Sequence, residues 1–378
     1  MVWTVKEGNL LTAIRKGSIS KINQAIQNGA KVNATDNDDW TPLMFATYNK
    51  APKKVIELLI AKGADVNATD NCGRTPLMFA LRYEAPKKVI ELLIDKDAKV
   101  NATDYDGKTP LMFAADNNAS KEVIELLIAK GAKVNAKDND DCTPLMFAAD
   151  NKASKEVIEL LIAKGADVNA KDNDDGSTPL MYACARNASK EVIELLINNK
   201  AKVNAKDNDD CTPLMYACLY NASKEVIELL INNKAKVNKK DAWGRTPLMA
   251  ACRHNNASKE VIELLIAKGA DVNATDNDGK TPLMLAKEFN APKEVIELLE
   301  KKIIEAAPRF AALKKANVTM KQELAVAEQK NADLKQENAN LKQKITEQKV
   351  QQAWNNLQAK KIAKQRMRAL RLGQYRHR

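Results

Sequence analysis

The chain has 378 residues, of which 45% are hydrophobic, 29% are charged and only 4% are aromatic. This length allows more than one ordinary domain, and the low aromatic content favours thin layers of Ala, Leu, Ile and Val over one large interior. No apolar run of about 18 residues is present, which argues against a membrane-spanning helix. Residues 1–11 lack the apolar core of a signal peptide. We therefore expect a cytoplasmic location, with export by a route that needs no such signal left open.

The net charge of +11 is concentrated at one end of the chain. Residues 348–378 contain nine Lys or Arg and no acidic residue, and residues 309–347 contain eight basic and five acidic residues. The remaining residues, 1–308, therefore carry a net charge of −1. The basic character belongs to the C-terminal part and says little about the body of the chain.

An internal repeat dominates residues 5–307. After an atypical first unit at residues 5–34, the motif Thr-Pro-Leu-Met recurs at intervals of 34 or 35 residues. It begins at Thr41, Thr75, Thr109, Thr143, Thr178, Thr212, Thr246 and Thr281. A period of this length is typical of a solenoid, in which each unit buries its apolar face only by stacking on its neighbours.

Each unit is predicted to form two short helices and a turn. Thr before Pro is a helix start, because the Thr hydroxyl caps a free N–H group and Pro suits the first helical position. A second helix follows, with Val55, Leu58 and Leu59 at helical spacing. We expect a left-handed residue to end that helix, and a residue other than glycine would cost roughly 1 kcal/mol there. The position holds Gly63, Gly131, Gly165 and Gly269 in four units and Asp97, Lys200 and Lys234 in three others.

These motifs resemble the ankyrin repeat, which combines a Thr-Pro-Leu-His-x-Ala helix start with a Gly-Ala-Asp-Val-Asn-Ala ending. The corresponding segments here are Thr-Pro-Leu-Met-Phe-Ala at Thr41–Ala46 and Lys-Gly-Ala-Asp-Val-Asn-Ala at Lys62–Ala68. The resemblance covers about 300 residues in nine units. It implies an all-α fold, an ankyrin-repeat solenoid of helix–turn–helix units with β-turn tips. Met replaces the usual His in every full unit, so we expect apolar packing in place of the His hydrogen bonds.

The array is predicted to occupy residues 1–308, with atypical capping units at both ends. The last unit, residues 281–307, has a second helix that runs on through Glu300, Lys301 and Lys302. Pro308 is taken as the boundary after that helix. A coiled coil is predicted for residues 309–348 and a basic helical tail for residues 349–378.

The resemblance also implies a concave ligand-binding surface, made of the turn tips and the outer face of the first helices. The positions seven and eight residues after the repeat Thr, and the turn tips, differ between units that are otherwise nearly identical. Tyr and Arg, which dominate binding hot spots, are frequent at these positions. The predicted partner-binding residues are Trp40, Tyr48, Asn49, Arg74, Arg82, Tyr83, Tyr105, Asp116, Asp150, Arg186, Leu219, Tyr220, Trp243, Arg245, Arg253, His254 and Phe289. The alternative interpretation is neutral drift at solvated positions.

Catalytic, metal and cofactor sites find little support in the residues. Cys184, Cys218 and Cys252 stand at one repeat position and are interpreted as small buried residues in place of Ala. There is no Cys-x-x-Cys pair, and the chain has only two His residues. The Asp-Gly-Lys-Thr segments at 106–109 and 278–281 lack the preceding Gly of a phosphate loop, and the Asp-rich turns lack the final Glu of a calcium loop. We therefore expect a non-catalytic protein with no cofactor and no metal.

Residues 309–348 follow a heptad pattern. The predicted coiled-coil core consists of Leu313, Asn317, Met320, Leu324, Asn331, Leu334, Asn338, Leu341 and Ile345. Core Asn residues weaken a coiled coil but favour a parallel dimer in register, so a homodimer is expected. A single solvated helix, or pairing with a different chain, remains the alternative, because Ala327 and Gln348 make the seam poor.

The predicted function is that of a protein–protein interaction scaffold, with the array as binding module and the coiled coil as a means of dimerisation. The tail, residues 349–378, reads as a basic helix with an imperfect apolar face around Trp354, Leu357 and Ile362. Such segments attach to nucleic acid or anionic membranes by charge, although a basic end is often only solvated. The alternative function is therefore an adaptor that this tail anchors.

Overall fold

The computed structural model describes the backbone of residues 4–374 and the side chains of residues 4–306 and 320–367. Within these residues the chain is entirely helical, and no strand is present. The helices are α1 (Val5–Arg15), α2 (Ile19–Gln27), α3 (Pro42–Tyr48), α4 (Lys53–Ala61), α5 (Pro76–Arg82), α6 (Lys87–Asp95), α7 (Pro110–Asp116), α8 (Lys121–Ala129), α9 (Pro144–Asp150), α10 (Lys155–Ala163), α11 (Pro179–Ala185), α12 (Lys190–Asn198), α13 (Pro213–Leu219), α14 (Lys224–Asn232), α15 (Pro247–Ala251), α16 (Lys259–Ala267), α17 (Pro282–Glu288) and α18 (Lys293–Gln374). The pairs α1–α2 to α17–α18 correspond to the nine predicted units, which confirms the predicted fold class.

The first helix of each full unit begins at the Pro of the Thr-Pro-Leu-Met motif, as predicted. In α7 the Thr109 hydroxyl accepts the Met112 N–H at 3.4 Å, which caps the helix. In return the Met112 sulfur accepts the Thr109 N–H at 3.2 Å. The same contact recurs at 3.4 Å between Thr41 and Met44. The Met residues of the motif are buried except Met284 in the last unit, which is exposed, so seven of the eight do supply apolar packing. The expectation of apolar packing alone missed the weak hydrogen bond that the sulfur accepts.

The core consists of small layers between successive units. In α8, Val123, Ile124 and Leu127 are buried, while the Lys and Glu residues of the same helix face solvent. Cys184, Cys218 and Cys252 are fully buried in the first helices, as expected for residues that take the place of Ala. Such thin layers leave no room for a large interior, which explains the low aromatic content.

The second residue after each of the helices α2, α4, α6, α8, α10, α12, α14 and α16 is left-handed whether or not it is glycine. Gly63 has a φ of 88°, and the residues that replace glycine, Asp97, Lys200 and Lys234, have φ values of 66°, 70° and 69°. The prediction for these positions is confirmed. The reason lies in the preceding unit, where Asn67 donates its side-chain amide to the Asp97 carbonyl at 2.9 Å. The Val-Asn motif therefore clamps one unit to the next.

The turn that precedes each Thr-Pro motif is organised by one Asp side chain. Asp138 Oδ1 accepts the N–H groups of Asp140 and Cys142 at 3.1 and 2.8 Å. Adjacent turns are joined by backbone hydrogen bonds, such as Asn139 N–H to the Asp106 carbonyl at 2.9 Å and Asn173 N–H to the Asp140 carbonyl at 2.9 Å. The turns therefore form a continuous ladder along one side of the array.

The chain divides into two compact units, residues 1–303 and residues 304–378. Helix α18 does not end at Pro308, where the sequence predicts a boundary, and the division falls five residues earlier. The side chains of Leu313 and Asn317 lie outside the described residues, as do the side chains beyond residue 367. Among the helices that are described, none is long and apolar enough to span a membrane.

Candidate protein-binding face

We call the surface formed by the turns and by the solvent-facing side of the first helices the ligand face. Its first part holds an aromatic cluster from two consecutive units. The Trp40 ring lies 5.4 Å from Tyr48 and 4.7 Å from Phe79, and Tyr48 lies 4.7 Å from Tyr83, all at edge-to-face angles. Edge-to-face packing suits the aromatic quadrupole and rigidifies the cluster. Three predicted residues are thereby brought together, and Tyr48 remains 43% exposed.

Two predicted cations border this aromatic cluster. Arg74 pairs with Asp70 at 2.6 Å and lies 5.2 Å from the centre of the Phe79 ring. Arg82 is exposed and lies 5.9 Å from the centre of the Tyr83 ring. A cleft of about 230 Å³ next to them includes Asp116 in its lining. This end of the ligand face therefore combines aromatic rings with arginines, and Asp104, Asp106 and Asp116 also line its cleft.

The middle of the ligand face is held by contacts between predicted residues of neighbouring units. Arg186 donates two hydrogen bonds to Asp150, at 2.6 Å to Oδ1 and 3.1 Å to Oδ2. Asp116 accepts the side-chain amide of Asn151 at 2.5 Å. The pKa of Arg186 is raised by its hydrogen bonds to Asp150. These side chains are preorganised, because each already has a partner in the array.

The last part of the ligand face is a groove over the units that begin at Thr178, Thr212 and Thr246. A cleft of about 220 Å³ is lined by Leu219, Tyr220, Trp243, Arg245 and Arg253, all of them predicted. It adjoins a second cleft of about 190 Å³, which Tyr220 also lines. Tyr220 and Trp243 are each 47% exposed. We call these two clefts the central groove.

Contacts inside the central groove fix the orientation of its aromatic rings. Tyr220 stacks on Tyr216 at 6.3 Å with an interplanar angle of 7°. The Arg245 guanidinium lies 4.3 Å from the centre of the Trp243 ring and pairs with Asp241 at 2.7 Å. Each of the two exposed rings is thus held by one neighbouring side chain and remains accessible to solvent.

The sequence did not predict Tyr182, Tyr216, Asp175 and Asp209 as residues of the central groove. The Tyr182 hydroxyl donates to Asp172 at 3.0 Å, and the Tyr216 hydroxyl donates to Asp207 at 2.8 Å. Asp175 lines both clefts and Asp209 lines the larger one. The available signal was the residue after Thr-Pro-Leu-Met, which changes from Phe to Tyr in these two units where the preceding turn ends in Ser177 or Cys211.

The second oxygen of the turn Asp is satisfied in some units and left without a donor in others. Arg74 and Arg245 reach it in their own turns, and tyrosines reach it at Asp172 and Asp207. In the first turn Trp40 takes the place of Arg, and Asp36 Oδ2 is buried without a partner. Burial raises the pKa values of Asp104 and Asp138, whose turns lack both Arg and Tyr donors.

The turns along the middle of the ligand face are strongly acidic. Segments 138–142, 172–177 and 207–211 contain nine Asp and no basic residue. Lys137 and Lys206 pair with Asp141 and Asp210 at 3.0 and 2.6 Å. Partial burial, followed by repulsion from neighbouring aspartates such as Asp174, raises the pKa of Asp175. The central groove therefore combines exposed aromatic rings with negative charge.

Four of the predicted partner-binding residues lie outside these clusters, contrary to expectation. Asn49 donates to the Phe45 carbonyl at 2.8 Å and so closes its own helix. Tyr105 lies at a turn tip against Gly73 of the preceding turn and is 70% exposed. His254 Nε2 is buried without a hydrogen-bond partner. Phe289 lies on the last unit, 4.9 Å below the Arg253 guanidinium.

The cysteines and the possible metal ligands of the array give no sign of a nucleophile or a metal site among the described residues. All six cysteines are free, and burial raises the pKa of Cys142 to about 11 and that of Cys252 to about 12. These two thiols are therefore protonated at neutral pH. The part of the chain that the structure describes contains no group of three His, Cys, Asp or Glu residues that could hold a metal ion.

Comparison with known proteins assigns the repeat. The family model for ankyrin repeats, described as three copies, matches residues 10–104, 87–172, 170–241 and 219–307. No curated protein is similar enough to the chain to match it. Ankyrin repeats are generally protein–protein interaction modules and are typically not catalytic. Because these matches together cover well over half of the residues, the chain belongs to the ankyrin-repeat family.

Proposed function

We propose that the ligand face binds another protein and that the central groove is the main contact. The observation that carries this proposal is the exposure of Tyr220 and Trp243, each about half open to solvent beside a cleft. Their rings are held by Tyr216 and Arg245, so a partner would order little on binding. Rigid aromatic side chains in a preformed concavity are typical hot spots, because they bury a large area at a small entropic cost.

The chemistry of the central groove favours a partner segment with apolar and positively charged side chains. Asp175 and Asp209 make no ion pair within the described residues, and they lie beside Tyr216 and Tyr220. A cation placed there would gain both carboxylate and ring-face attraction. Binding driven in this way weakens as salt is added, since screening shortens the range of exposed charges.

The experiment is a pull-down from nuclease-treated lysate of the source organism, read by mass spectrometry, with the full chain and with residues 1–308. The double substitution Tyr220→Ala and Trp243→Ala should abolish recovery of the partner. Tyr105→Ala is the matched control, because it removes an even more exposed ring outside both clefts. Recovery that the double substitution leaves unchanged would overturn the proposal.

A second candidate is an adaptor that the basic tail anchors to nucleic acid or to an anionic membrane. It is favoured by the nine basic residues of segment 348–378, which contains no acid. Counterion release would make such binding strongly dependent on salt. Deletion of residues 348–378 should then abolish binding to RNA or to anionic vesicles while leaving the protein partner of the ligand face in place.

A further inference from the structure

Helix α18 presents an apolar stripe that no other described residue covers. Met320, Leu324, Leu334, Leu341 and Ile345 are between 48% and 65% exposed and recur at heptad spacing. Side chains at this spacing lie along one line of a helix and are typical of a seam that packs on a second helix. The stripe therefore needs an occupant.

On the opposite side of α18, polar side chains form hydrogen bonds with one another within the helix. Gln329 donates to Asp333 at 3.0 Å, Gln336 to Asn340 at 3.2 Å and Gln343 to Glu347 at 3.1 Å. These pairs also recur every seven residues, and they lie half a turn away from the stripe. Only the stripe side is thus left to bind another helix.

The residues that flank the stripe carry an unequal set of charges. Between residues 321 and 349 the flanking heptad positions hold six Lys and three Glu. They are Lys321, Glu328, Lys335, Lys342 and Lys349 on one flank and Glu323, Lys330, Glu337 and Lys344 on the other. Flanking charges of this kind decide partner choice and orientation in coiled coils.

A second copy of this chain fits these flanks poorly. In a parallel pair each residue of the second flank faces the residue five positions later on the partner helix, which opposes Glu323 to Glu328 and Lys330 to Lys335. Lys344 would likewise face Lys349, and only Glu337 would face an opposite charge, at Lys342. In an antiparallel pair each flank would face itself: Lys321 would meet Lys349 and Lys335 its own copy, whereas the second flank would pair Glu323 with Lys344 and Lys330 with Glu337. That alignment sets the core residues Asn331 and Asn338 against Leu334 and Ala327, so neither buried amide has a polar partner.

The apolar stripe is too weak to override this repulsion. Asn331, Asn338, Ala327 and Gln348 interrupt the seam, and buried polar residues in a seam cost stability. In a parallel pair like charges oppose each other at three of the four flanking contacts, and each contact occurs twice per dimer. The flanks and the core Asn residues therefore decide which helix the stripe accepts.

We propose that the stripe of α18 pairs with an amphipathic helix of a different protein that carries mainly acidic residues beside its own apolar seam. Such a helix places Glu or Asp opposite the Lys-rich flanks and keeps the apolar contact. The chain then has two separate binding surfaces, the ligand face and this stripe.

The test uses the full chain in sedimentation velocity, with and without a synthetic probe helix. The probe is a copy of residues 317–349 in which each flanking Lys is replaced by Glu and each flanking Glu by Lys. We expect the chain alone to sediment as a monomer and to bind the probe one to one, at least about tenfold more weakly in about 1 M salt. An unaltered copy of residues 317–349 is the control and should not bind.

A charge-neutral exchange tests the pattern directly. Glu323→Lys together with Lys330→Glu keeps the net charge but gives opposite charges at three of the four parallel contacts. This variant should dimerise at least about tenfold more tightly than the unaltered chain. A stable dimer of the unaltered chain would overturn the proposal, because a second copy would then occupy the stripe. If the exchange variant stays monomeric and does not bind the probe, the stripe is not a pairing surface.

Discussion

The side-chain amide of Asn67 donates to the carbonyl of Asp97 at 2.9 Å, and its oxygen accepts the N–H of Lys99 at 2.9 Å. Asn135 makes the same two bonds to Gly165 and Asp167 in a later unit. Each clamp needs the residue at the helix end to be left-handed, so that its carbonyl points at the preceding unit. The clamp therefore holds Asp97 in a conformation that an L residue adopts at a cost.

This strain predicts that Asp97→Gly stabilises the array by about 1 kcal/mol, because glycine adopts the left-handed region without a steric penalty. Lys200→Gly and Lys234→Gly should act in the same way. Chemical denaturation of the full chain, followed by circular dichroism, measures the change. Lys96→Gly is the control, since Lys96 has a φ of −105° and gains only chain entropy on unfolding. Equal destabilisation by both substitutions would contradict the strain.

The clamp itself can be removed at Asn135. Asn135→Ala breaks two hydrogen bonds between units and should cost about 1–2 kcal/mol of unfolding free energy. Asn135→Asp keeps the acceptor for the Asp167 N–H but sets a carboxylate oxygen against the Gly165 carbonyl oxygen, so we expect a loss at least as large as that of Asn135→Ala. Urea denaturation measures both values, and an Asp variant that is more stable than the Ala variant would show that the donor to Gly165 contributes little.

Among the described residues no side chain donates a hydrogen bond to Asp138 Oδ2, and this predicts that Phe147→Tyr stabilises the array. Tyr216 lies nine positions after Asp207 and donates to it at 2.8 Å, and Phe147 stands at the same interval after Asp138. A hydroxyl at position 147 should supply the missing donor and add about 1 kcal/mol. The reverse change, Tyr216→Phe, should destabilise by a similar amount. Thermal denaturation of both variants checks the pair, and a Tyr at 147 that destabilises would show that the ring does not reach the carboxylate.

Asp138 also predicts a dependence of stability on pH. Its pKa in the folded chain is raised by burial, so the native state binds a proton more tightly than the unfolded chain does. The contribution of this group to unfolding free energy therefore decreases as pH rises from the unfolded value of about 3.9 through the raised native value. Asp138→Asn should remove that decrease while its amide oxygen still accepts the turn N–H groups. Unfolding free energies measured across this pH range test the slope, and an unchanged slope in the variant would assign it to other groups.

Much of the ligand face could be predicted from the positions that vary between repeats, and the rest required contacts between units. Tyr220, Trp243 and Arg253 were found because they differ in type where the repeat is otherwise uniform. Tyr216 was missed because it replaces Phe at a position that looks like core. Its hydroxyl reaches the turn of its own unit at Asp207, and no spacing rule reveals that contact.

The sequence by itself determined the helix–turn–helix unit, its period and the left-handed helix ends, because these depend on local features such as Thr-Pro caps and the apolar spacing of each helix. The tertiary structure alone decided how the Val-Asn motif joins one unit to the next, through contacts such as that of Asn67 with Asp97, and which surface residues meet in the central groove. Those features arise between residues about 30 positions apart, where stacking of one unit on the next sets the distances. The occupants of the ligand face and of the stripe on α18 depend on partner chemistry, which the charges of both surfaces allow us to propose.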